Sequence, residues 1–124
     1  MSAHQMVCHL SDSLRMASGD KAVSDKSSIV QRTLVKWLSL YVPVRWPAGI
    51  PTRPEIDQRV GGTAPTDFAR DVADLEALLE RATGRDGRGR SEARRHPIFG
   101  KMSTSAWLRL AYRHCDHHLR QFGV

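Results

Sequence analysis

Residues 104–122 read TSAWLRLAYRHCDHHLRQF, and their spacing decides the fold. At about 100° per residue, Trp107, Leu108, Ala111, Cys115, His118 and Phe122 gather on one side, while Arg109, Arg113, Asp116 and Arg120 gather on the other. This is an amphipathic helix, with Ser103 or Thr104 as its cap. His118 points into the apolar side, His114 sits on its margin near Leu110 and Gln121, and His117 turns towards the charged face. His114 and His118 are one turn apart, so theirs are the rings that can converge on one interior point.

Working outward, three more stretches carry helical periodicity. Ala3, Met6, Val7, Leu10, Leu14 and Ala17 recur at three- and four-residue steps, and Gly19 ends the run. Ser28 stands three residues before Gln31, as in a capping box. After it, Ile29, Val30, Leu34, Val35, Trp37, Leu38, Leu40 and Tyr41 cover most of a helix circumference, which predicts a largely buried helix stopped by Pro43. Thr66 is read as the next N-cap, with Asp67 in the first turn, and Phe68, Val72, Leu75, Leu79 and Ala82 form a stripe ending at Gly84. Between these helices, the prolines and glycines of residues 43–62 exclude a continuous helix or a central strand. That segment is expected to be an extended but ordered loop, with Trp46 and Ile50 pressed against the body. The arginine-rich residues 85–95 read as a solvated loop, with an anion-binding tongue as the alternative. With no repeats and no alternating strand pattern, the predicted architecture is all-α: one antiparallel four-helix bundle spanning 1–124.

Composition agrees with a single domain. The 124 residues are 40% hydrophobic and 26% charged, in the range of a soluble globule. The longest apolar run, Trp37 to Val44, falls far short of the ~20 residues a membrane helix needs. Lys and Arg outnumber Asp and Glu by 19 to 13, which attracts anions but does not establish nucleic-acid binding. The chain has no recognition-helix signature, no aromatic residues interleaved with the basic run and no zinc-finger spacing, which argues against nucleic acid as the partner. Cys8 and Cys115 make no disulfide framework, and the first twenty residues carry no apolar signal-peptide core, so the expected compartment is the reducing cytoplasm.

Paired interior imidazoles need a chemical reason. A charged imidazole is costly in an apolar place, and a neutral one still needs hydrogen-bond partners. A divalent zinc, nickel or iron ion satisfies both needs, provided a third ligand arrives from another helix. His9, on the flank of the first helix, is one candidate; His4, facing its polar side, and His96 are the others. Spacing alone is equally well explained by histidines satisfied by backbone or water. Cys8 and Cys115 are turned about 100° from their neighbouring histidines and read as ordinary semi-buried thiols.

The run His96-Pro-Ile-Phe-Gly-Lys-Met-Ser, then Trp107, then Tyr112 to Phe122 with its H-x-x-H-H-x-x-Q pattern, closely resembles a branch of the DinB-like (DinB/YfiT) superfamily whose own function is unassigned. The opening Met1-Ser-Ala-His-Gln-Met-Val-Cys-His-Leu, with Asp12 and Leu14-Arg-Met, and the loop from Trp46 to Glu55 are similar to the same branch. The resemblance implies a four-helix bundle holding a divalent metal on His9, His114 and His118, with His117 and Gln121 standing behind those ligands or lining the pocket. Asp12, one turn from His9, would orient that ring's free nitrogen or serve as an exposed charge near the helix start.

Relatives in the wider superfamily are similar to metal-dependent transferases that use low-molecular-weight thiols, so a thiol transferase or hydrolase is the implied activity. The alternatives are a non-catalytic metal-stabilised scaffold, a basic nucleic-acid-associated protein, or a bundle that has lost its activity. Members of the branch carry a further helix ahead of the segment that begins here at Met1. A bundle lacking that strut would expose apolar surface on its first and last helices and suit a homodimer. A start placed too late in the gene is the simpler account.

Overall fold

A computed structural model describes residues 1–84 and 95–124, so the expected arginine-rich loop at 85–95 lies outside the described residues except for Arg95. The fold is all-α. Among the described residues four helices, α1 (Ala3–Ser18), α2 (Lys36–Tyr41), α3 (Phe68–Thr83) and α4 (Thr104–Gln121), follow in order. A π-helical segment, Gln31–Val35, runs directly into α2, and a 3-10 turn, Pro54–Ile56, interrupts the proline-rich loop. Among the described residues there is no strand, only a bridge pairing His96 with Gly100. No described helix is long and apolar enough to cross a membrane.

Local chemistry sets the helix ends. Ser2 caps α1 in a reciprocal capping box with Gln5, and Gly19, at φ 83°, closes it in the left-handed conformation that glycine adopts without strain. The Ser28–Gln31 capping box forms as expected. The N-cap of α3 is Asp67 rather than Thr66: its carboxylate accepts the Arg70 N–H, and the Thr66 N–H is given instead to Asp71. Ser103 caps α4.

Helix α1 packs against both α3 and α4, and α2 packs on α4, giving the order α3, α1, α4, α2. The core joins Met16 of α1, Leu40 of α2, Ile56 of the 3-10 turn, Phe99 and Met102, and Ala106, Trp107 and Leu110 of α4. Helix α1 is the most buried element, so the first helix has no exposed apolar stripe. Exposed apolar surface lies instead before and along α2, where Ile29 is 80% and Trp37 56% exposed and only Leu40 is buried. The expectation of a largely buried second helix is therefore corrected: with α4 as its packing neighbour, it covers one side only. The proline-rich loop is ordered around Trp46 and the buried Ile56, but Ile50, expected to press inward, is half exposed.

Two buried polar groups organise the connections. Asp12, read as an orienter of His9 or an exposed charge, is fully buried. Its carboxylate accepts from the Thr63 N–H at 2.8 Å, the Thr63 hydroxyl at 2.6 Å and the Gln58 amide at 3.1 Å, and it pairs with Lys21 at 2.8 Å. Burial would raise its pKa, but the Lys21 and Thr63 bonds outweigh that and lower it. His96, with its ring stacked on Phe99, accepts the Ile98 and Phe99 N–H groups on Nδ1 and so holds the turn before α4. Burial, helped by the Lys36 charge, pushes its pKa down to about 4.

Replacing Asp12 by alanine leaves a partly exposed Lys21 ammonium and three further donors without their buried acceptor, which is expected to cost about 2 kcal/mol. Asp74→Ala, which removes the exposed partner of Arg15, is expected to cost much less. Urea unfolding of the two variants checks this, and equal losses would refute it. The His96 contribution has a defined sign. With a folded pKa of about 4 against 6.5, the unfolded chain binds the proton more tightly, so stability is complete above the upper value and is lost as pH falls towards the lower. The loss is roughly 3 kcal/mol at most. Thermal melting against pH should fall more gently through this window for His96→Asn, which keeps an acceptor without a titrating ring; parallel curves would contradict the assignment.

Candidate metal centre

Three rings from the two ends of the chain meet between α1 and α4. His9 Nε2 lies 3.0 Å from His114 Nε2, which lies 3.0 Å from His118 Nε2, and the three candidate donor atoms lie within 4.8 Å of one another. His9 and His118 are buried and His114 is partly so. The one-turn spacing on α4 brings two rings to the same place, and the packing of α1 on α4 brings the third.

Their far nitrogens show which atoms are free to ligate. His9 Nδ1 lies 2.7 Å from the Ile56 carbonyl, which can only accept, so Nδ1 carries the proton and Nε2 the lone pair. His118 Nδ1–H donates to Gln121 Oε1 at 3.0 Å, with the same result. The Gln121 amide nitrogen in turn lies 3.2 Å from His117 Nε2 and donates to it. His117 and Gln121 thus stand behind His118. These tautomers follow from hydrogen-bond logic.

Burial lowers the pKa of all three rings. At His114 burial is reinforced by repulsion from the neighbouring His9 and His118, and His118 falls to about 4. The rings are therefore neutral near pH 7, which is the ligating form. Neutral nitrogens pointing lone pairs at each other from 3.0 Å repel unless a cation or a proton stands between them. Around zinc with bonds of ~2.0 to 2.1 Å, tetrahedral nitrogens sit about 3.3 Å apart, close to the 3.0 Å that separates His114 from each of its two neighbours. The cluster could hold a metal ion.

The rings open on a cavity of about 810 Å³ whose lining includes all three histidines, Trp46, Ile56 and Gln58. Trp46 leans on the site, its ring centroid 6.2 Å from His114 and 5.8 Å from His117. Of the other sequence candidates, His96 belongs to its own turn, and His4 faces α3, where it bonds Asp71. Asp12 does not hold the free nitrogen of His9; the Ile56 carbonyl does. Sequence reasoning missed that carbonyl, since a backbone group leaves no residue signature. It also missed Asp71, whose partners His4 and Cys8 were visible as an i, i+4 pair.

Residues 2–123 match the family described as "Protein of unknown function (DUF1569)", and the chain belongs to that family. No curated protein and no solved structure matches it.

Long-range proton–nitrogen NMR of the metal-free protein at about pH 6 should show His9 and His118 as neutral Nδ1–H tautomers, although a free imidazole is largely protonated there. A cationic pattern at that pH would overturn the hydrogen-bond assignment.

Proposed function

We propose that His9, His114 and His118 hold a divalent zinc, nickel or iron ion, and that the protein is a DinB-like metal-dependent transferase or hydrolase. The observation that carries this reading is the convergence of three Nε2 atoms on one point at a cavity wall, with two of the opposite nitrogens already committed as donors. When bound, such an ion supplies Lewis acidity, lowering the pKa of a water or a low-molecular-weight thiol so that it serves as nucleophile.

The chain's own residues do the positioning. The Ile56 carbonyl and Gln121 lock ring orientation and tautomer, the outer-shell task that tunes ligand basicity. Among the described residues the cluster has three protein donors, one fewer than the four that close a structural zinc site, which favours a reactive centre over a purely structural one. The cavity gives a substrate room beside the rings, and Trp46 supplies an apolar wall. The free thiols Cys8 and Cys115 fit a reducing, cytoplasmic setting.

Metal-free, untagged protein titrated with zinc and with nickel should bind one equivalent more than the His114→Ala plus His118→Ala variant does. Gln121→Ala should retain the stoichiometry but weaken affinity by about 10- to 100-fold. Equal stoichiometry in the wild type and the double variant would sink the proposal.

A further inference from the structure

On its other packed face, α1 presents a second convergence of ligating atoms. His4 Nε2 lies 2.6 Å and Cys8 Sγ 3.7 Å from the same oxygen, Oδ2 of Asp71 on α3. That oxygen also accepts the Thr66 N–H at 3.1 Å. One carboxylate oxygen thus collects three donors. Two of them, the imidazole N–H and the thiol S–H, become metal ligands once their protons leave. His4 and Cys8 stand one turn apart on α1, as His114 and His118 do on α4. Cys8 is buried, whereas the His4 and Asp71 side chains are 25% and 20% exposed, so an ion has a way in from solvent. Phe68 packs edge-on against the His4 ring at 5.3 Å, and Thr66 holds the carboxylate, so both outer donors are oriented in advance.

We propose that His4, Cys8 and Asp71 form a second divalent-cation site, specific for a thiophilic ion such as zinc, that clamps α1 to α3. Loading it balances simply. The Cys8 thiol gives its proton to solvent, the His4 proton moves from Nε2 to Nδ1, and one proton is released per ion. The thiolate and the Asp71 carboxylate then bring two negative charges to a doubly positive ion, leaving the site neutral. Thiolate donation separates this site from the all-imidazole cluster both in metal preference and in spectrum. His9 lies about 100° around the helix from Cys8, so the two sets face different neighbours. This assignment does not depend on the His9, His114 and His118 proposal.

The test is cobalt(II) titration of reduced, metal-free protein, followed in the near ultraviolet for thiolate-to-cobalt charge transfer. The band should saturate within two equivalents in the wild type and at one in His114→Ala plus His118→Ala, vanish in Cys8→Ser, and need at least about tenfold more cobalt in His4→Ala and Asp71→Asn. It should persist in Cys115→Ser and in His114→Ala plus His118→Ala. Because His4 is partly exposed, His4→Ala keeps the test valid should Cys8→Ser fail to fold. Absence of the band in the wild type, its survival in Cys8→Ser, or its loss in Cys115→Ser would overturn the proposal. Loss in the double histidine variant alone would show that the thiol reports on the other cluster, and would overturn it equally.

Discussion

The 2.7 Å hydrogen bond from His9 Nδ1–H to the Ile56 carbonyl joins the central helix to the loop that covers it, and the arrangement of the histidines depends on it. A buried imidazole with one nitrogen unsatisfied would be costly, so the ring stays inside only while the 3-10 turn presents that carbonyl. The Ile56 side chain is meanwhile part of the apolar core. One residue therefore anchors the loop through its side chain and sets the His9 tautomer through its backbone. The lone pair on Nε2 is the consequence, and it faces His114 because α1 packs on α4.

Helix α1 is buried on two sides, and Asp12, His9 and His4 are each engaged there by a different segment. Asp12 takes the Thr63 donors and Lys21, His9 takes Ile56 and His114, and His4 takes Asp71. Each polar contact lies on a different azimuth of one helix and fastens a different segment. The apolar stripe sets which face of α1 turns inward, and the polar contacts narrow that choice. The polar contacts make rotation costly, because turning the helix would strand buried donors and acceptors together.

The parts of this arrangement that were legible in sequence are those encoded by periodicity within one helix. The His114–His118 couple follows from its one-turn spacing, and Gly19, Ser28 and Gly84 mark helix ends through conformations and caps that few other residues supply. What crosses between segments was not legible. Asp12 looked solvent-facing because nothing in its own helix says that residues 61–63 fold over it, and Asp71 in the first turn of α3 is already explained by the helix dipole. The apolar circumference after Ser28 gave the wrong burial for a related reason: periodicity reports which residues are apolar, not how many neighbours arrive to cover them. His9 was singled out from His4 and His96 by family resemblance, not by pattern.

Arg113 shows how helix-end chemistry reaches the candidate site. Helix α2 ends with carbonyls that lack intrahelical partners, and Pro43, with no N–H of its own, pushes Val42 into an extended conformation. The Arg113 guanidinium, on the charged side of α4, donates to the Val42 and Val44 carbonyls and lies over the Trp46 ring at 5.7 Å. Trp46 is pinned again where its indole N–H donates to the Ser39 carbonyl. The wall beside His114 and His117 is therefore placed by an arginine bonded to two loop carbonyls. A residue that reads as a solvated charge in the sequence sets the shape of the apolar side of the cavity.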